Sequence, residues 1–108
     1  MDDLGANGAE AKVQTGRDPS GARVVTIAGE LDISNVDKIE RNWQSALDGT
    51  RDHIVFDLAE LTFMDSAGLA MLLRAQDRGI DVTVRNPSTI VRRIIEVTGL
   101  SERLLAGP

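Results

Sequence analysis

With 108 residues the chain has room for one domain and a single modest core. Its 42% hydrophobic and 27% charged residues describe a soluble globular domain, and no apolar run approaches the length of a membrane span. The net charge of −5 and only two Phe and one Trp argue against a basic or base-stacking nucleic-acid face, while zero cysteines exclude disulfides and thiolate metal sites.

The first ten residues are small and polar, with Gly5 and Gly8, and read as a flexible N-terminal tail ahead of a domain over residues 11–106. They carry neither the basic region nor the apolar core of a secretory leader, which, with the lack of cysteine, fits a cytoplasmic protein. Ala11 to Thr15 makes a short strand, Gly16 to Gly21 is dense in turn formers, and Ala22 to Ala28 is a β-branched strand, so the three form a hairpin. After Gly29-Glu30-Leu31-Asp32 the period changes. Val36, Ile39, Trp43, Ala46 and Leu47 recur at helical spacing, with Ser34 as N-cap and Gly49 as stop. Trp43 on that stripe is a core residue.

His53 to Leu58 reads as a largely buried strand, and Leu61-Thr62-Phe63-Met64 leads into a turn at Asp65-Ser66-Ala67-Gly68-Leu69. From Ser66 onward Leu69, Leu72, Leu73 and Gln76 follow helical spacing to Gly79; the apolar start predicts the most buried helix. Ile80 to Val84 alternates as a strand. Asn86-Pro87-Ser88 opens another helix, with Ile90, Val91, Ile94, Ile95 and Val97 as its apolar stripe, Thr98-Gly99 as its end, and a last turn over Ser101 to Leu105. Arg92 and Arg93, with Arg85 nearby, read as a solvated helix face. Strands alternating with helices give an α/β domain with crossover connections and a partly parallel sheet.

Chemistry concentrates at Ser66, where a small hydroxyl follows a carboxylate at a strand-to-helix turn. Such a residue can cap the helix, act as a nucleophile or accept a phosphate. A nucleophile elbow needs glycine two residues before and after the serine; Gly68 satisfies one side, but Met64 occupies the other. The one histidine, His53, would have to be the base, and nothing in the pattern brings it to Ser66. Asp57, Glu60 and Asp65 lack the histidines or loop spacing of a metal site, and no phosphate-binding glycine loop opens a helix. No enzyme and no cofactor are expected. A serine cap is worth about 1 kcal/mol, and Asp65 can share that role. A phosphoserine there adds a charge of about −1.5 to −2, which a helix N-terminus favours by roughly 0.3–1 kcal/mol when exposed. The adjacent Asp65 offsets part of that gain, so phosphorylation would act on an interface rather than on the fold.

Asp65-Ser66-Ala67-Gly68-Leu69 resembles the D-S-[SAT]-G-L signature of STAS domains, especially the anti-sigma factor antagonists. Gly29-Glu30-Leu31-Asp32 and Thr98-Gly99-Leu100 resemble that family's G-E-L-D and T-G-L segments, in the same order and at similar spacing. The resemblance implies a single STAS-like domain, a mixed, mostly parallel β-sheet flanked by α-helices. It implies a partner with a histidine-kinase-like ATPase fold, an anti-sigma factor that is itself the serine kinase, and a separate phosphatase. It implies no direct contact with nucleic acid or membrane. Ser66 falls on the phosphorylated position, Asp65 on the acidic residue before it, and Asp32 on the aspartate of the partner-binding loop. Ala67 and Gly68 complete the signature, and Ile33 and Ser34, opening the first helix, fall near the same surface. Subunits of lipid-transport ABC systems carry a similar D-[ST]-A-G-L-A segment, matched here through Ala70, and bind an ATPase without phosphorylation.

Overall fold

Every strand but the first is placed by its parallel neighbour in the computed structural model, which describes residues 10–46 and 53–105. The exception is β1 (Ala11–Arg17), which pairs antiparallel with β2 (Arg23–Leu31) in an unbroken register from Ala11↔Gly29 to Arg17↔Arg23. Asp18 closes this hairpin: its Oδ1 accepts from the Ser20 N–H at 2.9 Å, the Ser20 hydroxyl at 2.6 Å and the Ala22 N–H at 3.0 Å. The strands run longer than their sequence pattern, because the turn occupies only residues 18–22.

The chain continues through α1 (Val36–Ala46), β3 (His53–Asp57), β4 (Leu61–Met64), α2 (Ser66–Asp77), β5 (Asp81–Arg85), α3 (Thr89–Val97) and α4 (Ser101–Leu104). The sheet order is β1-β2-β3-β5, with β4 also on β2. The first part of β2, Arg23 to Thr26, pairs with β3, and its last part, Gly29 to Leu31, pairs with β4. Thus β3 and β4 run one after the other beside the same strand. The register shifts by one residue at Thr62, whose hydroxyl donates to the Gly29 carbonyl at 3.0 Å. Leu61 to Met64, read from sequence as a lead-in, is therefore a strand in its own right.

From β2 to β3 to β5 the order advances in one direction, so right-handed crossovers put α1 and α2 on the same face. Val36, Ile39 and Trp43 of α1, Leu69, Met71, Leu72 and Ala75 of α2, Val91 and Ile95 of α3, and Leu104 of α4 join one core with Val25, Ile27, Phe56 and Val84 of the sheet. The expected mixed, mostly parallel sheet is found, with its helices gathered on one side. Trp43 is 1% exposed and meets Phe56 edge-on, 5.2 Å between ring centroids at 84°. Its indole N–H points to the Met71 sulfur at 3.4 Å. A stack of this kind is worth about 0.5–1.5 kcal/mol beyond the area it buries.

Two expectations change, and a buried ion pair joins them. The stripe of α3 is narrower: Val91 and Ile95 are buried and Ile94 packs partly against the core, whereas Ile90 and Val97 are exposed. Arg85 stands on β5, not on a helix face, and pairs with Asp18 at 3.3 Å across the opposite side of the sheet. Glu40, on the apolar side of α1, is buried and receives Arg74 of α2 at 2.6 Å, which raises the Arg74 pKa through that hydrogen bond. The tail over residues 1–9, Leu47 and the Gly49 stop, and residue 106 lie outside the described residues. No helix among the described residues is long and apolar enough to cross a membrane.

Candidate functional site

Because Leu31 of β2 sits opposite Met64 of β4, the two strands end side by side and their following loops emerge together. One loop carries Asp32, Ile33 and Ser34 into α1; the other carries Asp65 into Ser66, Ala67 and Gly68 of α2. The seven residues singled out from sequence are thereby brought to one rim of the sheet, at the carboxyl ends of parallel strands, where open α/β sheets commonly bind ligands.

Asp65 ties the loops together. Its backbone N–H donates to the Leu31 carbonyl at 3.3 Å, and its Oδ2 accepts from the Ile33 N–H at 3.4 Å. Its Oδ1 accepts from the Ala67 N–H at 2.9 Å and the Gly68 N–H at 3.4 Å, with extended backbone at φ −108° and ψ −169°. Asp65 is therefore the N-cap of α2, and Ser66 is its first helical residue. This corrects the sequence reading of Ser66 as the cap. Ser66 is exposed, and among the described residues its hydroxyl has no hydrogen-bond partner.

The loop after β2 is built differently. Asp32 Oδ1 accepts from the Ser34 N–H at 2.8 Å and the Ser34 hydroxyl at 2.6 Å. The Asp32 carbonyl accepts from the Asn35 and Val36 N–H groups, at 3.2 and 2.9 Å. Asn35, which sequence reasoning passed over, is buried and bridges the loop: its Oδ1 accepts from the Asp32 N–H at 3.0 Å and its Nδ2 donates to the Glu30 carbonyl at 2.9 Å. Its position just before the helical stripe, three residues after an aspartate, was the available signal. Ser34, expected to cap α1, stands in this turn two residues before the helix begins.

Exposure divides the seven residues. Ile33 is 77% exposed and Ser34 and Ser66 are exposed, whereas Asp32, Asp65 and Ala67 are half-buried. Phe63, two residues before Asp65, adds a second exposed apolar side chain at 42%. Gly68 faces inward. A Cβ there would lie 2.6 Å from Met64 Cγ and 3.0 Å from Leu31 Cδ2, so only glycine lets α2 sit this close to β2 and β4. Its contribution is to fix where Ser66 surfaces.

The chemistry on offer is limited. His53 opens β3 just before Ile54, which pairs with Arg23 at the start of β2, whereas Ser66 follows Met64, which pairs with Leu31 at its end. Eight residues of strand at about 3.3 Å each separate those levels by roughly 25 Å, which removes His53 as a base for Ser66. The His53 ring nitrogen instead meets the Thr83 hydroxyl at 2.8 Å. Of the carboxylates weighed as ligands, Asp57 accepts from the Ala59 N–H and Asn86 Nδ2, and Asp65 is a cap.

Residues 15–106 match the family described as "Mlab, STAS domain". The chain is 31% identical over 85 residues to an anti-sigma F factor antagonist of Paenibacillus polymyxa, covering 74% of this chain and 73% of that one. An anti-sigma factor antagonist from Mycobacterium paratuberculosis has a similar crystal structure, with a TM-score of 0.71, 27% identity, and 92% and 87% of the two chains covered. The anti-sigma factor antagonist SpoIIAA is similar in its unphosphorylated form, at a TM-score of 0.64, 25% identity and 89% of each chain. The phosphorylated form of SpoIIAA from Bacillus aligns at a TM-score of 0.60, 25% identity, and 89% and 92% coverage.

Proposed function

The chain belongs to the STAS-domain family of anti-sigma factor antagonists, and on that premise we propose that it captures an anti-sigma factor and is released when Ser66 is phosphorylated. The partner in this reading is a serine kinase with a histidine-kinase-like ATPase fold, a phosphatase resets the cycle, and the output is sigma-factor-dependent transcription. The docking surface comprises Asp32, Ile33, Ser34, Asp65, Ser66 and Ala67, with Gly68 beneath it.

The observation that carries the reading is the state of the Ser66 hydroxyl: exposed, unbonded among the described residues, and remote from His53. Such a group suits transfer catalysed by another protein. SpoIIAA, solved in both phosphorylated and unphosphorylated forms, is a relative with the same fold. The cap geometry supports an effect on binding rather than on stability. Asp65 already holds the N–H groups of Ala67 and Gly68, so a phosphate on Ser66 finds a carboxylate beside it and projects outward. There it sets a charge of about −1.5 to −2 next to Ile33, the side chain a partner would desolvate first.

The test is binding to the kinase-type partner by calorimetry, with intact mass after incubation with ATP. Ser66→Glu weakens binding at least tenfold, about 1.4 kcal/mol, and Ser66→Ala binds but gains no phosphate. Equal affinity of Ser66→Glu and wild type, or phosphate on another residue, overturns the switch. The Ala67-Gly68-Leu69-Ala70 run also supports a second reading, as a lipid-transport ABC subunit. Capture of an ABC ATPase with unchanged affinity for Ser66→Glu would favour it.

A further inference from the structure

The side of the sheet away from the helices carries a hollow of about 280 Å³ at the β1–β2 end, bordered by Gln14, Gly16, Val24, Thr26 and Arg85. Its existence traces to Gly16. Glycine inside a strand costs stability and ordinarily marks a bulge, a bend or a place where something must come close. Here the β1–β2 register runs unbroken through Gly16↔Val24, so there is no bulge. The backbone at Gly16 is not left-handed, and a Cβ built there meets nothing within 4 Å. No part of the protein itself requires glycine at this position; what its missing side chain leaves is the hollow over Val24.

The charged groups around it are arranged rather than scattered. Asp18 Oδ1 is occupied by Ser20 and Ala22, which fixes the carboxylate, and its Oδ2 accepts from Arg85 Nη1 at 3.3 Å. The hairpin and β5 lie on opposite sides of β3 in the sheet, so this contact draws the Arg85 side chain across the uncovered face. Only Nη1 is engaged there. Among the described residues, the remaining N–H donors of the Arg85 guanidinium have no partner. Arg17, also on the rim, donates to the Gly21 carbonyl at 3.0 Å and is exposed. Two guanidinium groups and the Asp18 carboxylate border a half-buried valine, with the Thr26 hydroxyl and the Gln14 amide alongside, and Asp57 stands cross-strand from Arg85, so what the hollow offers is the unengaged edge of the Arg85 fork rather than an excess of charge.

We propose that this hollow binds a small organic oxyanion, a carboxylate or phosphate monoester whose oxygens take the open edge of Arg85 and whose apolar body rests on Val24 in the space left by Gly16. Guanidinium presents paired donors in the geometry such oxygens accept. At about 280 Å³ the hollow falls just below the usual range of small-molecule pockets, which restricts it to a ligand of few atoms. The site lies over Gly16 and Val24, whereas the Ser66 loops emerge beyond Leu31 and Met64 at the other end of β2, so it stands or falls independently of the proposed switch.

The test is an amide and Arg Nε–H NMR titration of the whole chain with three probes: inorganic phosphate, phenyl phosphate and benzoate. Saturable shifts are expected at Gly16, Thr26 and Arg85 for at least one organic probe, half-saturating in the millimolar range or tighter, with inorganic phosphate weaker. Gly16→Val fills the hollow with a residue the strand accepts, and Arg85→Gln removes the fork; each weakens the response at least tenfold. Because Gly16→Val keeps the backbone and favours β structure, loss of binding there is not loss of fold, and the unliganded melting temperature verifies this. Absence of saturable shifts with all three probes, a response centred on α2 instead, or undiminished binding by Gly16→Val overturns the proposal.

Discussion

In the loop after β2, Asp32 Oδ1 takes both the N–H and the hydroxyl of Ser34, and in the β1–β2 turn Asp18 does the same to Ser20. In the loop after β4, Asp65 turns its Oδ1 to Ala67 and Gly68, and the Ser66 hydroxyl is left over. The residue types match; the spacing does not. When aspartate stands two residues before serine, the turn folds the hydroxyl back onto the carboxylate. When they are adjacent and a helix follows, the carboxylate reaches past the serine to the helix N–H groups. One position in sequence thus separates serines that lock loops from a serine that remains chemically available.

The largest way to break this contrast is to lift α2 away from the sheet. Gly68→Val forces carbon atoms into the space of Met64 and Leu31, both 1% exposed, and should cost about 3 kcal/mol. Urea denaturation measures it; a loss below about 1 kcal/mol would mean that the close approach does not position Ser66. Next comes the cap. Asp65→Ala should lose about 1–2 kcal/mol and release the Ile33 loop, whereas Asp65→Asn, which keeps an acceptor, should lose a few tenths. Equal losses in the two variants would point to charge rather than capping.

Removing hydroxyls sharpens the contrast directly. Ser34→Ala should cost about 0.5–1 kcal/mol, because it deletes a charge-assisted bond at a partly solvated site. Ser66→Ala should stay within about 0.5 kcal/mol of wild type, having no bond to lose. Thermal denaturation of the pair decides it. A loss of 1 kcal/mol or more for Ser66→Ala would restore serine to the cap.

The sequence made the elements readable because each apolar period is long enough to be distinctive: Val36, Ile39 and Trp43 for α1, or the alternation of Asp81 to Val84 for β5. The Ser66 turn was legible as a place, since carboxylate, serine and glycine cluster between a strand and a helix. Which of two adjacent side chains caps was not, because that depends on the extended backbone at Asp65, set by the Leu31 carbonyl from a distant strand. Burial of Glu40 was hidden for a related reason: its partner Arg74 lies 34 residues away on another helix. The exposed Val97 and Ile90 mimic a core stripe because periodicity reports which side chains share a face, not whether another layer covers it.

The smallest expected effect uses pH. At Asp18 the Ser20 hydroxyl bond, then the N–H groups of Ala22 and Ser20 and the Arg85 contact, outweigh partial burial and hold the carboxyl below its ordinary value of 3.8. An unfolded chain then takes up the proton more readily than the folded one. The stabilisation is complete above the ordinary value and is lost as pH falls through the folded one. Urea midpoints compared at about pH 5 and about pH 3 should therefore drop less in Ser20→Ala than in wild type, since the hydroxyl bond that does most to depress the Asp18 carboxyl is gone. Ser66→Ala should leave the profile unchanged, because its hydroxyl donates to no carboxylate. If both variants flatten the profile alike, Ser66 is bonded to Asp65 in solution, and the difference in spacing does not leave its hydroxyl open to a kinase.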